Sequence, residues 1–211
     1  GADVVSVAMA KTNMQKLFDV QDAIWASNAD ADAFRTDYLV TNHSSYNSQI
    51  VTDPTLEQIK YELQEGRPVI SFHYGKDLNN PNIPFAVYGS YYHVIVLIGY
   101  DEEAQEFIAH DNGDHRTGTN IRYGYNTIMN SLGDFDFAQR KVVDPPTVIF
   151  TSPRFVKTAT SPRVYYIVDG HKHYVTAPQV FTQQGWEWDA IFTVKEEWLD
   201  QFPEGEDIRV N

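Results

Sequence analysis

The chain has 211 residues, no cysteine and a formal net charge of −13. That charge disfavours a nucleic-acid backbone or an anionic lipid surface as a partner, since both require a basic footprint, and the absence of cysteine excludes a disulfide framework and a thiolate zinc site. With 42% hydrophobic and 14% aromatic residues the chain buries a core, while its longest apolar run, Val94–Ile98, is far too short to span a membrane.

In chain order, Gly1 leads directly into Val4, Val5, Val7, Ala8 and Met9, which reads as a processed or trimmed start. Residues 3–18 read as a helix with Val4, Val7, Ala8 and Leu17 on one face, and residues 20–35 as one or two short helices around Trp25. Residues 41–52 are polar and turn-rich. Asp53 is expected to cap the next helix, with Pro54 at its first position, Leu56, Ile59, Tyr61 and Leu63 as apolar positions, and Gly66 as its stop. Val69–Phe72 reads as a buried strand. Residues 75–91, with Pro81, Pro84 and Gly89, form a loop long enough to serve a function. Val94–Tyr100 and Glu106–His110 are strands joined by the turn Asp101 to Gln105, and a helix follows at about Tyr125–Leu132. Asp144-Pro145-Pro146 marks an expected boundary, which places one unit at 1–145. Beyond it, Val164–Val168 and His171–Val175 flank Asp169-Gly170, a type I′ hairpin signal. Short helices from Pro178 to Gly185 and from Lys195 to Phe202 complete a small ββα-type unit over 155–208, with Trp186, Trp188 and Trp198 available for its core.

The first hairpin concentrates the chemistry. Paired about Glu103, residues 92–111 place position 93 opposite 113, and Asp111 becomes the diagonal neighbour of His93 on the same face. A carboxylate there fixes the imidazole tautomer and leaves the other ring nitrogen as a base. A histidine that begins a strand is more often structural, or merely exposed, than catalytic. His110 has the opposite parity and reads as structural. His171 and His173 share a strand face that could bind a metal, but no third ligand is evident, and alternating polar residues on an exposed hairpin give the same pattern. Asp111-Asn112-Gly113-Asp114 lacks the spacing and terminal Glu of a calcium loop. No metal or cofactor is expected.

Three stretches between Leu56 and about Asp136 carry a family resemblance: Leu63-Gln64-Glu65-Gly66-Arg67-Pro68-Val69-Ile70, Tyr92-His93-Val94-Ile95-Val96-Leu97-Ile98-Gly99-Tyr100-Asp101 and Glu106-Phe107-Ile108-Ala109-His110-Asp111. Arg122-Tyr123-Gly124-Tyr125 with Met129-Asn130 fits as well. Together they resemble secreted bacterial papain-like cysteine peptidases of the bacteriocin-processing, double-glycine leader type. The resemblance implies an α+β papain-like fold, an N-terminal helix packed on an antiparallel sheet, and a Cys–His–Asp triad that hydrolyses peptide bonds. It gives His93 the role of general base and Asp111 that of orienting it. The family's cysteine lies at the N-terminus of the first helix, and in the frame Gly1-Ala2-Asp3-Val4-Val5-Ser6-Val7-Ala8-Met9 its position falls on Ala2.

Alanine has neither thiol nor hydroxyl, so the expectation is a hydrolase fold inactive as given, whether an inactive variant or a pseudoenzyme. Ser6, one turn on, reads as a small packed residue rather than a substitute nucleophile. Asn112 stands where the family often has proline, and the family's oxyanion glutamine, which lies upstream of the cysteine, is expected to be absent because its position would fall before Gly1. Residues 155–208 resemble a repeat-like module of secreted bacterial proteins, through Val156-Lys157, Ser161-Pro162, Val164–Ile167, Asp169-Gly170, Pro178, Val180-Phe181 and Trp188. The implied setting is secreted or cell-surface and bacterial, with a peptide or protein substrate and, through the module, cell-wall glycan or other surface proteins as partners. The alternative from another class is a non-catalytic extracellular binding or structural protein of a surface assembly.

Overall fold

The computed structural model describes residues 7–26, 31–80, 92–113 and 118–210. Its first strands are β1 (Tyr46–Thr52), β2 (Val69–Tyr74), β3 (Tyr92–Asp101), β4 (Glu106–His110) and β5 (Ile121–Gly124). After a small hairpin, β6 (Asp134–Asp136) and β7 (Lys141–Val143), comes β8 (Thr147–Pro153). Strands β1–β5 and β8 form one antiparallel sheet in the order β1-β8-β2-β3-β4-β5. The architecture is α+β and papain-like, as expected.

The sheet is covered on both faces. Helix α3 (Leu56–Gln64) sends Ile59 and Leu63 onto one face, where they meet Val69, Ile95, Leu97, Phe107 and Ala109. Helix α4 (Tyr125–Ser131) adds Ile128 to the same cluster. Phe72 and Ile149 turn to the other face, against Ala33 and the partly buried Ile50, Ile70, Tyr92 and Val94. Each large side chain so buried contributes about 1.5–3 kcal/mol, and because both faces are covered, neighbouring residues such as Val148 and Ile149 of β8 are buried rather than alternating between buried and exposed.

Several local boundaries differ from expectation. Helix α1 (Val7–Trp25) runs unbroken past residue 18, with Gln15 donating to Asp19 one turn on at 2.7 Å and no glycine or proline to interrupt it. Residues 3–6 lie outside the described residues. Helix α2 (Ala33–His43) follows, capped by Asp32, which accepts from the Arg35 N–H. The stretch 41–52 is the end of α2 and then β1, not a turn region. Its polar side chains are met individually: Ser48 bonds Asp37 and Thr41 on α2, and Asn47 donates to the Ile167 carbonyl. Asp53 does not cap α3, because its φ is +50°. The cap is Thr55, in a reciprocal capping box with Gln58. Gly66, at φ +76°, ends the helix as expected.

The break expected at Asp144-Pro145-Pro146 is not a seam of the fold. β8 starts immediately after it and lies between β1 and β2, so the sheet needs residues beyond the expected 1–145. β8 then passes through Arg154 into β9 (Phe155–Thr158) with no linker. β9, β10 (Tyr165–Val168), β11 (His171–Tyr174) and β12 (Ile191–Val194) form a second sheet in the order β11-β10-β9-β12, with β12 parallel to β9. Helix α5 (Pro178–Gln184) ends on left-handed Gly185, and α6 is only Glu196–Leu199. The hairpin is as expected, with both turn residues at positive φ, and β9 and β12 extend it. Trp186 packs with Phe155, Tyr166 and Phe181, and Trp198 is buried, whereas Trp188 is 52% exposed and stacks on Phe181. At the junction the Arg154 guanidinium donates to the carbonyls of Thr41 and Tyr46 and to Asn47 Oδ1, and Asn47 in turn donates to the Ile167 carbonyl on β10.

Candidate active site

The position of His93 depends on one irregularity. Near the turn the β3–β4 ladder pairs Asp101 with Glu106, Tyr100 with Phe107 and Gly99 with Ile108. Continued unchanged, that register would set Asp111 opposite Val96 and put His93 on the other face. A bulge between Leu97 and Gly99 leaves Ile98 without a partner and shifts the pairing, so that Leu97 meets Ala109 and Val96 meets His110. Carried onward, the shifted register sets 93 opposite 113. His93 then shares the inner face with Ile95, Leu97 and Asp111.

The two side chains meet. His93 is 6% exposed, Asp111 is fully buried, and Nε2 of the imidazole lies 2.7 Å from Oδ1 of the carboxylate. Oδ1 also accepts from the Gly113 N–H at 2.9 Å, and the Asp111 N–H donates to the Gly118 carbonyl at 2.8 Å. Oδ2 accepts a short hydrogen bond, 2.5 Å, from the Tyr123 hydroxyl on β5. The Tyr123 oxygen in turn accepts from Asn80 Nδ2 at 2.8 Å. Burial by itself would push the Asp111 carboxyl up. The hydrogen bonds from His93, Tyr123 and the Gly113 amide outweigh it and hold the carboxyl below its usual range. An ionised carboxylate only accepts, so the Nε2 facing it carries the proton and Nδ1 is the nitrogen turned away from Asp111.

A second histidine stands beside the first. His73 on β2 is the ladder partner of His93, on the same face and fully buried. Ser131 Oγ lies 2.8 Å from its Nδ1 and Ser71 Oγ 2.8 Å from its Nε2. Ser131 Oγ lies 3.0 Å from the Ile128 carbonyl and Ser71 Oγ 3.4 Å from the Ile95 carbonyl; the closer approach makes Ser131 the hydroxyl that gives its proton to the backbone and accepts from Nδ1–H, while Ser71 turns its proton to Nε2. Burial, and then the neighbouring His93, lower the His73 pKa to about 3, an effect that Asp111 only partly opposes. His73 is therefore a neutral imidazole with both nitrogens satisfied. Ser131 reaches it because Gly133, just beyond α4, donates to the Phe72 carbonyl. A Cβ on Gly133 would lie 2.5 Å from Val142 and 2.9 Å from the Tyr74 ring, so only glycine lets the segments approach this closely.

The sequence pattern of the Peptidase_C39 like family matches residues 5–136, more than half of the chain. The chain belongs to that family. As a Peptidase_C39-like protein it is cysteine-peptidase-like in fold and general character. No curated protein matches it. Among solved structures, the crystal structure of a wild type endolysin LysIME-EF1 aligns with 11% identity over 92% of this chain and 86% of that one, with a TM-score of 0.26. A score that low bears on neither fold nor function.

The remaining sequence candidates separate clearly. Ala2 and Ser6 lie outside the described residues, and Ala2 also precedes the stretch that matches the family pattern. His110 is exposed opposite Val96 and takes no part in the inner-face cluster. His171 and His173 each direct Nδ1 to a backbone carbonyl, of Asp169 and Glu206 respectively. Among the described residues no three His, Asp or Glu side chains come together as metal ligands. His73, Ser71, Ser131, Tyr123 and Asn80 escape sequence reading. Only the pairing of β2 with β3 could have signalled His73, since the two histidines are opposed across the ladder. Tyr123 and Asn80 come from separate segments, and no spacing relates them to Asp111.

Proposed function

We propose that this Peptidase_C39-like protein carries the base half of a cysteine-peptidase site: His93 is the general base and Asp111 orients it. The observation that supports this reading most directly is the buried 2.7 Å contact between His93 Nε2 and Asp111 Oδ1. With Nε2–H committed to the carboxylate, Nδ1 is the nitrogen that takes a proton from a nucleophile and returns it to a leaving amine. A cysteine thiolate beside this imidazolium would attack a peptide carbonyl carbon. The acyl-enzyme would then be hydrolysed by water activated at the same nitrogen.

In the family frame Ala2 holds the nucleophile's position, so the chain with alanine there has the base and its orienting group but no thiol. The finer reading is a bacterial, secreted or cell-surface peptidase of the leader-processing type, with a peptide or protein substrate. The test is to make Ala2→Cys and measure labelling by an electrophilic cysteine-peptidase probe, with His93→Ala in the same background as control. Labelling of the introduced thiol that His93→Ala slows by about 100-fold or more supports the reading. Labelling at the same rate with and without His93 overturns it and favours a non-catalytic surface protein.

A further inference from the structure

The pairing of His93 with Asp111 uses one carboxylate oxygen; the other is engaged by two residues that the triad chemistry does not name. We propose that Tyr123 and Asn80 are positioning residues for the base, acting through Asp111, so that the functional unit is a four-membered relay, Asn80–Tyr123–Asp111–His93. The inference rests on the reading of His93 as the base, and deepens it.

Three observations carry it. The hydrogen bonds converge on the carboxylate: Asn80 Nδ2 donates to the Tyr123 oxygen at 2.8 Å, the Tyr123 hydroxyl donates to Asp111 Oδ2 at 2.5 Å, and from the other side His93 Nε2 donates to Asp111 Oδ1 at 2.7 Å. The bond from Asn80 polarises the tyrosine hydroxyl and fixes which way its single proton points. All four side chains are at least nine-tenths buried, so water cannot replace a lost member. The two positioning residues are also anchored. Asn80 follows Leu78, which is buried in the main core, and Tyr123 is itself part of that core.

A carboxylate held by both oxygens cannot rotate about its Cβ–Cγ bond. The imidazole it orients is then confined to one tautomer and one ring plane. Such outer partners of a catalytic imidazole typically change function by about 10–100-fold when removed.

The test reads the tautomer of His93 directly, by 15N chemical shifts of its ring nitrogens, in the chain as given and in Tyr123→Phe, Asn80→Ala and Asn80→Asp. A parallel arm measures probe labelling of each variant in the Ala2→Cys background. The parent should show one tautomer, with the proton on Nε2. Tyr123→Phe should give a mixture and slow labelling by about 10–100-fold. Asn80→Ala keeps the phenol on Asp111 and should slow labelling by about three- to tenfold. Asn80→Asp replaces a donor by an acceptor that competes for the tyrosine proton, so its effect should exceed that of Asn80→Ala, although the hydroxyl itself is retained. If Tyr123→Phe does not fold, the two Asn80 variants decide. An unchanged single tautomer together with labelling within twofold of the parent, in folded variants, overturns the relay. Labelling that never depends on His93 sinks the base reading instead, and the tautomer arm still decides the relay.

Discussion

Two hairpins each carry two histidines, and they use the same period-two geometry to opposite ends. In β10–β11 the register is uniform, from Tyr165 opposite Tyr174 to Val168 opposite His171, and Asp169-Gly170 closes it in two residues. His171 and His173 share the face of Tyr166 and Val175, the first exposed and the second half-buried, and each bonds a backbone carbonyl rather than another titratable side chain. In β3–β4 the ladder is broken once, at Ile98. That break moves His93 from the outer face to the inner one, where Asp111, Tyr123 and His73 wait. A regular hairpin displays its histidines; a bulged one re-aims a single side chain into a core that can bind it. The bulge costs a ladder position, and what it gains is the dyad.

The largest expected effect comes from removing the acceptor that distinguishes the two hairpins. Asp111→Asn offers His93 an amide in place of a carboxylate, and the amide nitrogen can force the opposite tautomer. In the Ala2→Cys background, probe labelling should fall by about a thousandfold or more, while the amide, being nearly isosteric, leaves the sheet in place. Circular dichroism and the labelling rate together check this.

Next in size is a pair of deletions that test the bulge itself. Ile98 has no ladder partner, so deleting it leaves Leu97 opposite Ala109 and Gly99 opposite Ile108 in a regular ladder, with His93 still facing inward. Deleting Val94 instead advances His93 by one position and turns it toward the face of Phe72 and Tyr92. The 15N signature of an Nε2-protonated His93 should survive the first deletion and vanish in the second. Loss in both would mean that the bulge is needed for more than parity.

That geometry also explains how much of the site was legible in the sequence. Pairing residues 92–111 about Glu103 predicts the correct neighbours, although the turn-proximal ladder is centred half a residue later; the bulge makes up the difference. Parity arguments see a strand as regular, and Ile98 carries no proline or glycine signal of its own to mark it as the extra residue. The strand β1 was hidden for another reason. Asn47 and Ser48 look like loop residues because their partners, Ile167 and Asp37, belong to distant or separately folded segments. The same limit hid Tyr123 and Asn80. Apolar periodicity reports which face is buried; it is silent on which polar group a buried polar side chain will find.

A smaller effect separates His73 from the exposed histidines through pH. Its ordinary value is 6.5 and its folded value about 3. Between these the unfolded chain binds a proton that the folded chain refuses, so this contribution is fully present above pH 6.5 and is lost as the pH falls toward 3. Asp111 acts in the same direction lower down: its carboxyl is depressed on folding, so its contribution is present above about 3.9 and is lost as the pH falls through the folded value. Urea midpoints at pH 7.5 and 4.5 should therefore differ, with the acid value lower. His73→Gln, whose amide can still donate to one serine and accept from the other, should flatten that difference. An equally steep dependence in the variant would assign the acid sensitivity to other groups.

The smallest effects belong to the regular hairpin. His171 is exposed, and His171→Ala should change stability by less than about 0.5 kcal/mol. His173 is held more tightly, because Gly205 lies against its ring: a Cβ there would come within 2.3 Å of Cε1. Gly205→Ala must therefore push the imidazole off the Glu206 carbonyl, at a cost of about 1–2 kcal/mol. Neither change should alter the His93 15N shifts, since the histidines of β10–β11 belong to the other sheet. A shift at His93 on mutating Gly205 would show that the two sheets communicate, through the junction at Arg154 or through contacts such as Asn47 with the Ile167 carbonyl and Tyr46 with Phe192.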